Sequence, residues 1–400
     1  MPSREPCPGG PSSKGSGAGP STRSIHAGTL PPRQGAPFLP GPVFASKFHL
    51  AGDPASSRYT YGRDTNPTWD RFEEALAELE GGPSLVFASG MAAVTAALSV
   101  GLSRAGRRSP LLVMSSDGYN LARTLVEEHF VPRGARVRYV PTRTPAESWP
   151  LRGATLVWVE SPSNPGLDVC DLRLLARRAH AAGAAVAVDN TTPTPLGQRP
   201  LALGADLSVA SDSKSLTGHS DLVLGHVAAR DAGWADRIRR FRKLEGAIAG
   251  PMETWLAHRS LATLALRIER QGANALAIAR FLKERPDVRD VRYPGLEDDP
   301  SHRLAAAQMA FFGPIVSFTL PDAAAADRFL AACRIVRTAT SFGGVHTTAE
   351  RRARWNNGDA VPPGFVRLSA GCEDPSDLLR DLDRALRMSR SRARGAFRRR

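Results

Sequence analysis

The sequence predicts an α/β protein, with a mostly parallel sheet covered by helices on both faces and a smaller C-terminal α+β domain. Short apolar runs of strand length alternate with helical patterns up to about residue 250. Beyond Gly250-Pro251, longer helical patterns predominate and predicted strands are few. With 400 residues, of which 42% are hydrophobic, the chain can bury the cores of two or three domains.

The two ends of the chain have compositions unlike the rest. Residues 1–20 are mostly Pro, Gly and Ser, which predicts a disordered tail. Residues 21–66 have many prolines and little periodicity, so we predict an extended N-terminal arm that contributes to a neighbouring subunit. Residues 388–400 hold six arginines and are predicted to be a basic disordered tail. These arginines account for much of the net charge of +14, and we favour a solvated tail over binding to nucleic acid or an anionic surface.

Residues 67–250 are predicted to form the large domain. Its first helix is predicted to begin with Thr68 as N-cap and to stop at Gly81-Gly82. An apolar strand at 83–88 and a helix from Ser89 to about residue 100 follow. The other elements predicted for this domain are strands at 111–114, 137–140, 155–159, 184–188, 207–210 and 222–227, and helices at 121–128 and 172–182.

Residues 251–387 are predicted to form the C-terminal domain. Helical patterns cover 254–271, 276–284 and 323–333, and strands are predicted at 315–320 and 365–369. A last helix is predicted to be capped by Asp374, with Pro375 at its first position.

Composition also bears on location. Residues 81–103 carry no charge and could cross a bilayer, but Gly, Pro and Ser interrupt them, so we predict a strand, a turn and a buried helix instead. The start of the chain has no apolar segment typical of a secretory signal. The four cysteines are far apart and form no C-x-x-C pair, which argues against a disulfide framework or a metal site and favours the reducing cytoplasm.

Two polar residues follow neighbouring apolar runs. Asp189 closes the first run and Lys214 lies just past the second, between Ser213 and Ser215. Ligands of open α/β sheets bind at the carboxyl ends of the strands, where these residues would meet. A lysine there suits a covalent bond to a carbonyl compound, and an aspartate suits the ring nitrogen of pyridoxal phosphate (PLP). From these two residues alone, a surface lysine and a turn aspartate explain the pattern equally well.

A second candidate feature is the strand, turn and helix around Ser89-Gly90-Met91. Backbone N–H groups at the start of a helix have no intrahelical partner and can bind a phosphate. Taken alone, the small residues are equally typical of a tightly packed turn.

Seven motifs in order make the pattern specific: YGRDTNPT (61–68), SGMAA (89–93), ESPSNP (160–165), VDNT (188–191), SDSK with GHSD (211–221), SFGG (341–344) and FVRLSAG (365–371). Together they resemble the Cys/Met-metabolism family of PLP enzymes, which includes cystathionine γ-lyase, cystathionine γ-synthase, cystathionine β-lyase and methionine γ-lyase. The resemblance runs from about residue 22 to residue 387. It implies the type I fold of PLP-dependent transferases, with PLP bound in the large domain.

The resemblance implies a role for each matching residue. Lys214 would hold the cofactor and move protons, Asp189 would pair with the ring nitrogen, and Tyr119 would stack on the ring and protonate the leaving group. The remaining cofactor contacts would come from Gly90, Met91, Ser211, Ser213 and Asn164, and from Tyr61 and Arg63 reaching a neighbouring subunit. Arg367 would bind the substrate carboxylate, assisted by Ser341, Asn164 and Thr340. An active site shared between subunits implies a homodimer or homotetramer.

Departures from the family pattern lie around the substrate side chain. Ser213 and Ser215 flank the lysine at positions where the family commonly has other residues. Residues 120–122 also differ from the family pattern. Thr340 and His346 occupy positions where glutamate is frequent in the family. The segment 349–363 differs as well. We expect γ-elimination on a sulfur amino acid, with L-cystathionine as the leading substrate. The alternatives are γ-replacement on an O-acyl-L-homoserine, then β-elimination, and a cofactor-binding scaffold without turnover.

Overall fold

The computed structural model describes residues 18–106, 108–355 and 359–390. Most of the predicted N-terminal tail (1–17) and most of the predicted basic tail (391–400) therefore lie outside the described residues. The helices of the described part are α1 (Pro20–His26), α2 (Pro67–Glu80), α3 (Gly90–Leu102), α4 (Asn120–Leu125), α5 (Leu172–Ala181), α6 (Thr194–Gly197), α7 (Ala232–Glu245), α8 (Pro251–Leu261), α9 (Leu264–Lys283), α10 (His302–Gln308), α11 (Ala323–Ala332) and α12 (Pro375–Arg390). The strands are β1 (Ser84–Phe87), β2 (Leu111–Ser115), β3 (Arg136–Val140), β4 (Leu156–Glu160), β5 (Ala185–Asp189), β6 (Leu207–Ala210), β7 (Gly225–Ala229), β8 (Arg289–Arg292), β9 (Ile315–Thr319), β10 (Arg337–Thr338), β11 (Thr348–Arg351) and β12 (Phe365–Ser369).

Seven strands form the central sheet in the order β1-β7-β6-β5-β4-β2-β3. The strand β7 is antiparallel to both neighbours, and the other pairs are parallel. Every residue of β2, β4, β5 and β6 is buried, as expected for strands covered on both faces. The predicted mostly parallel sheet is confirmed. Its parallel strands bring the carboxyl ends of β4, β5 and β6 to one edge.

A second sheet of five strands, in the order β10-β11-β12-β9-β8, forms the smaller C-terminal part. Helices α9, α11 and α12 pack on it through apolar residues such as Ile278, Phe329 and Leu382. The smaller α+β unit predicted from the sequence is confirmed. The start of α8 at Pro251 agrees with the predicted boundary, but the division into domains stays a prediction.

Several predicted boundaries are wrong. The N-cap of α2 is Asn66, whose side chain accepts from the N–H of Thr68, and the Thr68 hydroxyl accepts from Val43 N instead. The long C-terminal helical pattern breaks between α8 and α9, about ten residues before the predicted break. The strand predicted at 222–227 is β7, which begins at Gly225.

The predicted ends of the chain also differ from the structure. Helix α1 (Pro20–His26) lies at the junction of the predicted tail and the predicted extended arm, so the arm is not extended throughout. Helix α12 continues to Arg390, into the segment predicted as a disordered basic tail. Across the described residues, none of the helices is both long and apolar enough to span a membrane.

Candidate active site

Two acidic residues end adjacent strands at the carboxyl edge of the central sheet. Glu160 ends β4 and Asp189 ends β5, and they are direct partners in the strand register. Asp189 is buried, and its Oδ1 accepts hydrogen bonds from the N–H and the hydroxyl of Thr191, at 3.0 and 2.6 Å. Burial raises the pKa of Asp189, while these hydrogen bonds and the Lys214 charge act in the opposite direction. A buried carboxylate of this kind needs a cation nearby.

Lys214 lies on a tight turn that follows β6. Its N–H donates to Ser211 O at 3.2 Å, and its carbonyl accepts from Gly218 N at 2.9 Å. The amine Nζ donates to Ser341 Oγ at 2.6 Å. Burial and the Arg367 charge lower the pKa of Lys214, and Asp189 opposes this effect. The turn therefore holds an amine whose neutral form is favoured relative to a lysine in water.

The loop that carries Ser341 passes directly against the lysine turn. Ser341 has a φ of 74°, a conformation that non-glycine residues rarely adopt. At Gly343, with a φ of 85°, a Cβ would lie 2.4 Å from Ser215 N, so this close approach requires glycine. The strained backbone at Ser341 directs its hydroxyl to the Lys214 amine, as is common at functional sites.

Arg367 projects from the middle of β12 and is buried. Its Nη1 donates to Asn164 Oδ1 at 2.8 Å, and its Nη2 donates to Ser341 O at 3.1 Å and to Glu350 Oε1. Burial lowers the pKa of Arg367 to about 10, against the effect of Glu350. Arg367, Asn164 and Ser341 thus lie together beside the Lys214 amine, an arrangement compatible with the roles that the resemblance implies.

Glu350 is a site residue that sequence reasoning missed. It is 1% exposed, and its Oε1 accepts from Arg352 Nη1 at 2.9 Å as well as from Arg367. Its Oε2 accepts from Trp355 Nε1 at 2.8 Å, and Arg352 also pairs with Asp359. The signal in the sequence was the run of one acid and two arginines at 350–352, which lies in the segment that departs from the family pattern.

The start of helix α3 forms a cradle beside the lysine turn. A Cβ on Gly90 would lie 2.6 Å from Ser211 Cβ and 2.7 Å from Ser211 Oγ, so the backbone of α3 closely approaches this serine. The Ser89 hydroxyl caps Ala92 N at 3.1 Å, which leaves the N–H groups of Gly90 and Met91 without an intrahelical acceptor. Ser211 therefore lies beside two N–H groups suited to an anion.

Ser213 is bound through its hydroxyl to the main chain of Leu224. Its hydroxyl donates to Leu224 O at 3.2 Å and accepts from Leu224 N at 3.0 Å. In this arrangement the hydroxyl ties the lysine turn to the chain leading into β7. Its predicted phosphate contact stays a prediction.

Tyr119 lies at the start of α4, at the mouth of the site, and is 36% exposed. Its N–H donates to Glu160 Oε2. Burial raises the pKa of Tyr119, against the charges of Arg352 and Arg367. Burial and the nearby Asp189 also hold the pKa of Glu160 well above its usual range. Glu160, which the sequence placed only within a motif, therefore positions the Tyr119 backbone.

Besides Tyr119, three predicted site residues lie at the surface. Tyr61 and Arg63 are exposed on the N-terminal arm, with the Arg63 guanidinium 5.4 Å from the centre of the Tyr61 ring. Thr340 is exposed beside Ser341. The roles of these residues stay predictions.

The donor set fits PLP. A buried carboxylate that needs a cation, an amine of lowered pKa and an anion cradle lie at one edge of the sheet. Fold and site together define an α/β PLP-dependent enzyme. Residues 21–387 match the family described as Cys/Met metabolism PLP-dependent enzyme, and the chain belongs to that family.

Relatives named for different activities resemble most of the chain. A putative cystathionine γ-lyase of Streptomyces coelicolor is 58% identical, covering 93% of this chain and 94% of its own. A cystathionine γ-synthase of Mycobacterium tuberculosis is 37% identical, covering 92% of this chain and 97% of its own. The crystal structure of metB from Corynebacterium glutamicum has a TM-score of 0.88 and 33% identity, covering 92% of this chain and 98% of its own.

Proposed function

We propose that the protein is a PLP-dependent lyase that performs γ-elimination on a sulfur amino acid, with L-cystathionine as its substrate. The reaction consumes water and yields L-cysteine, 2-oxobutanoate and ammonia. The cluster of Lys214, Ser341 and Arg367 carries this proposal, because it joins an amine of lowered pKa to a guanidinium suited to a carboxylate. The similarity to the Streptomyces coelicolor protein supports the choice of substrate.

The binding roles follow from the contacts. PLP, when bound, supplies a ring that accepts electrons from the substrate α-carbon. Asp189 pairs with the ring nitrogen, and the cradle of Gly90, Met91 and Ser211 binds the phosphate. Arg367 and Asn164 bind the substrate α-carboxylate, and the exposed Thr340 contacts the part of the substrate beyond the sulfur.

Two side chains move protons. Lys214, as a free amine, would take the proton from the substrate Cα, pass that proton on to the bound cofactor, and then take a second proton from Cβ. The Tyr119 hydroxyl donates a proton to the sulfur as the Cγ–S bond breaks. The raised pKa of Tyr119 keeps this hydroxyl protonated at neutral pH, as a donor must be.

A second candidate is γ-replacement on an O-acyl-L-homoserine, in which a thiol or another nucleophile takes the place of the acyl group. The 37% identical cystathionine γ-synthase favours it. The same contacts to the cofactor and the α-carboxylate serve γ-elimination and γ-replacement. The two reactions must therefore be distinguished by their products.

A product assay with purified holoenzyme tests the proposal. With L-cystathionine we expect equal amounts of 2-oxobutanoate and cysteine, at a kcat/KM above that for O-succinyl- or O-acetyl-L-homoserine with cysteine. Pyruvate and homocysteine as the products would assign β-elimination and contradict the proposal. Efficient cystathionine formation, with little 2-oxobutanoate from L-cystathionine, would establish γ-replacement instead.

We further propose a cytoplasmic homodimer or homotetramer in which Tyr61 and Arg63 contact the phosphate of the neighbouring subunit's cofactor. Both side chains are exposed on the arm, and the dispersed cysteines support the location. Arg63→Ala should weaken PLP retention without dissociating the oligomer, whereas Arg33→Ala, an exposed arginine on the same arm, should not. Wild-type PLP retention by Arg63→Ala in a dimer verified by sedimentation would contradict the shared site.

A further inference from the structure

Three charged side chains form a buried network beneath the lysine turn. His226 Nδ1 lies 2.6 Å from Asp212 Oδ1, and His226 Nε2 lies 3.1 Å from Glu80 Oε1. All three side chains are completely inaccessible to solvent. They come from three separate elements, since Glu80 ends α2, His226 belongs to β7, and Asp212 is two residues before Lys214.

Asp212 is bound to its surroundings by its main chain as well as its side chain. Its N–H donates to Leu224 O at 3.0 Å, and its carbonyl accepts from the hydroxyl of Thr217 at 2.7 Å. The Asp212–His226 contact thus joins the start of the lysine turn to the central sheet. Arg267 of α9 holds the other side of the turn by donating to Ser215 O at 2.7 Å and Leu216 O at 2.8 Å.

Stability alone explains this network poorly. Asp212 Oδ2 and Glu80 Oε2 are buried without a hydrogen-bond partner, and buried ionic groups often stabilise a fold no better than apolar residues of similar size. Asp212 is two residues before Lys214 in the same turn, so its contact with His226 can act on Lys214 through the geometry of the turn.

We infer that Asp212 and His226 are positioning residues, which fix the lysine turn so that the Lys214 amine meets the cofactor and the substrate α-carbon in the productive orientation. Glu80 holds His226 from the opposite side. The inference rests on the proposed role of Lys214, but it holds for elimination and replacement alike. Displacements of about 1 Å at reacting groups can cost about 100-fold in rate, so a fixed turn matters for catalysis.

Asp212→Ala tests the inference through cofactor binding as well as turnover. We expect the PLP dissociation constant to rise and kcat to fall, each by about tenfold or more, with KM changed less than about twofold because Arg367 is untouched. The visible circular dichroism of the lysine-bound cofactor should weaken, since it reports ring orientation. Asp212→Asn retains a polar partner for His226, so its PLP dissociation constant and kcat should lie within about threefold of the wild-type values.

Glu73→Ala is the matched control, because Glu73 forms another largely buried ion pair, with Arg242, that joins α2 to α7. It should lower the melting temperature comparably while leaving the PLP dissociation constant and the dichroism unchanged. The inference would be overturned if Asp212→Ala lost stability but kept the wild-type PLP dissociation constant and the wild-type dichroism. If Asp212→Ala does not fold, Glu80→Gln provides the test. We expect its PLP dissociation constant to rise and its visible dichroism to weaken, and wild-type values of the two quantities would overturn the inference.

Lys214→Ala, measured in parallel, separates this inference from the proposed function. Loss of the lysine-bound dichroism band in Lys214→Ala, together with an unchanged band in Asp212→Ala, would overturn the positioning role alone. A dichroism band that persists in Lys214→Ala would contradict the proposed role of Lys214, and with it both the proposed function and the positioning inference.

Discussion

The Lys214 amine donates a 2.6 Å hydrogen bond to the hydroxyl of Ser341, and the two residues lie on loops that follow strands of different sheets, β6 and β10. The Ser341 carbonyl accepts from Arg367 at 3.1 Å, so one residue contacts both the amine and the guanidinium. Its left-handed backbone is the local strain that makes this double contact possible. A single loop thus sets the spacing between the Lys214 amine and the Arg367 guanidinium.

Replacing Arg367 with lysine should reduce kcat/KM for L-cystathionine by about 100-fold, since one or two charge-assisted hydrogen bonds worth about 1.5–3 kcal/mol each are lost. The visible spectrum of the bound cofactor should change little. Arg280→Lys, an exposed arginine on α9, is the control and should have wild-type kinetics. Steady-state kinetics of both variants check this, and a wild-type kcat/KM for Arg367→Lys would contradict the assignment of Arg367.

Gly90→Ala should weaken PLP binding by about tenfold or more, because its Cβ would lie 2.6 Å from Ser211 Cβ and push the start of α3 away from the lysine turn. Gly41→Ala is a suitable control, since a Cβ there would meet no atom within 4 Å. Equilibrium titration of the apoenzymes with PLP measures the difference. Equal affinities for the two variants would mean that the cradle does not hold the phosphate.

Glu350→Ala should lower the free energy of unfolding by about 3–5 kcal/mol, because it leaves buried Arg367 and Arg352 without their shared acid. Asp327→Ala breaks the more exposed pair with Arg351 and should cost less than about 1 kcal/mol. Urea unfolding at neutral pH compares the two variants. Similar losses for both would show that the Glu350 network contributes little.

The buried His226 predicts a stability that decreases in alkali. Asp212 and Glu80 face its ring, and although burial acts in the opposite direction, these carboxylates raise its pKa from 6.5 to about 10. The charged ring therefore contributes its full stabilisation below pH 6.5, and this contribution is lost as the pH rises through about 10. Between these values the free energy of unfolding falls by at most about 1.4 kcal/mol per pH unit. Urea unfolding of wild type should detect this slope, and His226→Gln should lack it. The exposed His129→Gln should retain the wild-type slope, and a His226→Gln protein with that same slope would contradict the assignment.

The positions of Asp189 and Lys214 in the candidate site could be predicted because both residues follow strand ends and belong to ordered motifs. Asp189 ends β5, and Lys214 comes four residues after the end of β6, so parallel pairing alone brings them to one edge. The cap of α2 was missed although Pro67, a typical first helical residue, follows Asn66 and identifies it as the N-cap.

The hydrogen bonds and ion pairs of the buried charged side chains could not be predicted. Glu350, Glu160 and His226 meet partners that are close in space but mostly distant along the chain, such as Arg367, Tyr119 and Glu80. A sequence pattern does not indicate which charges are enclosed by tertiary packing. The Ser213 hydroxyl is a similar case, since it donates to the carbonyl of Leu224, 11 residues further along the chain.

The most direct test of the account is borohydride reduction of the resting holoenzyme, followed by peptide mapping. Reduction fixes the cofactor to the amine that holds it, and we predict a pyridoxyl group on Lys214. The Lys214→Ala protein should take up no fixed cofactor and should lose at least about 1,000-fold in kcat with L-cystathionine. A pyridoxyl group on Lys47, Lys243 or Lys283, or turnover by Lys214→Ala, would contradict the account at its centre.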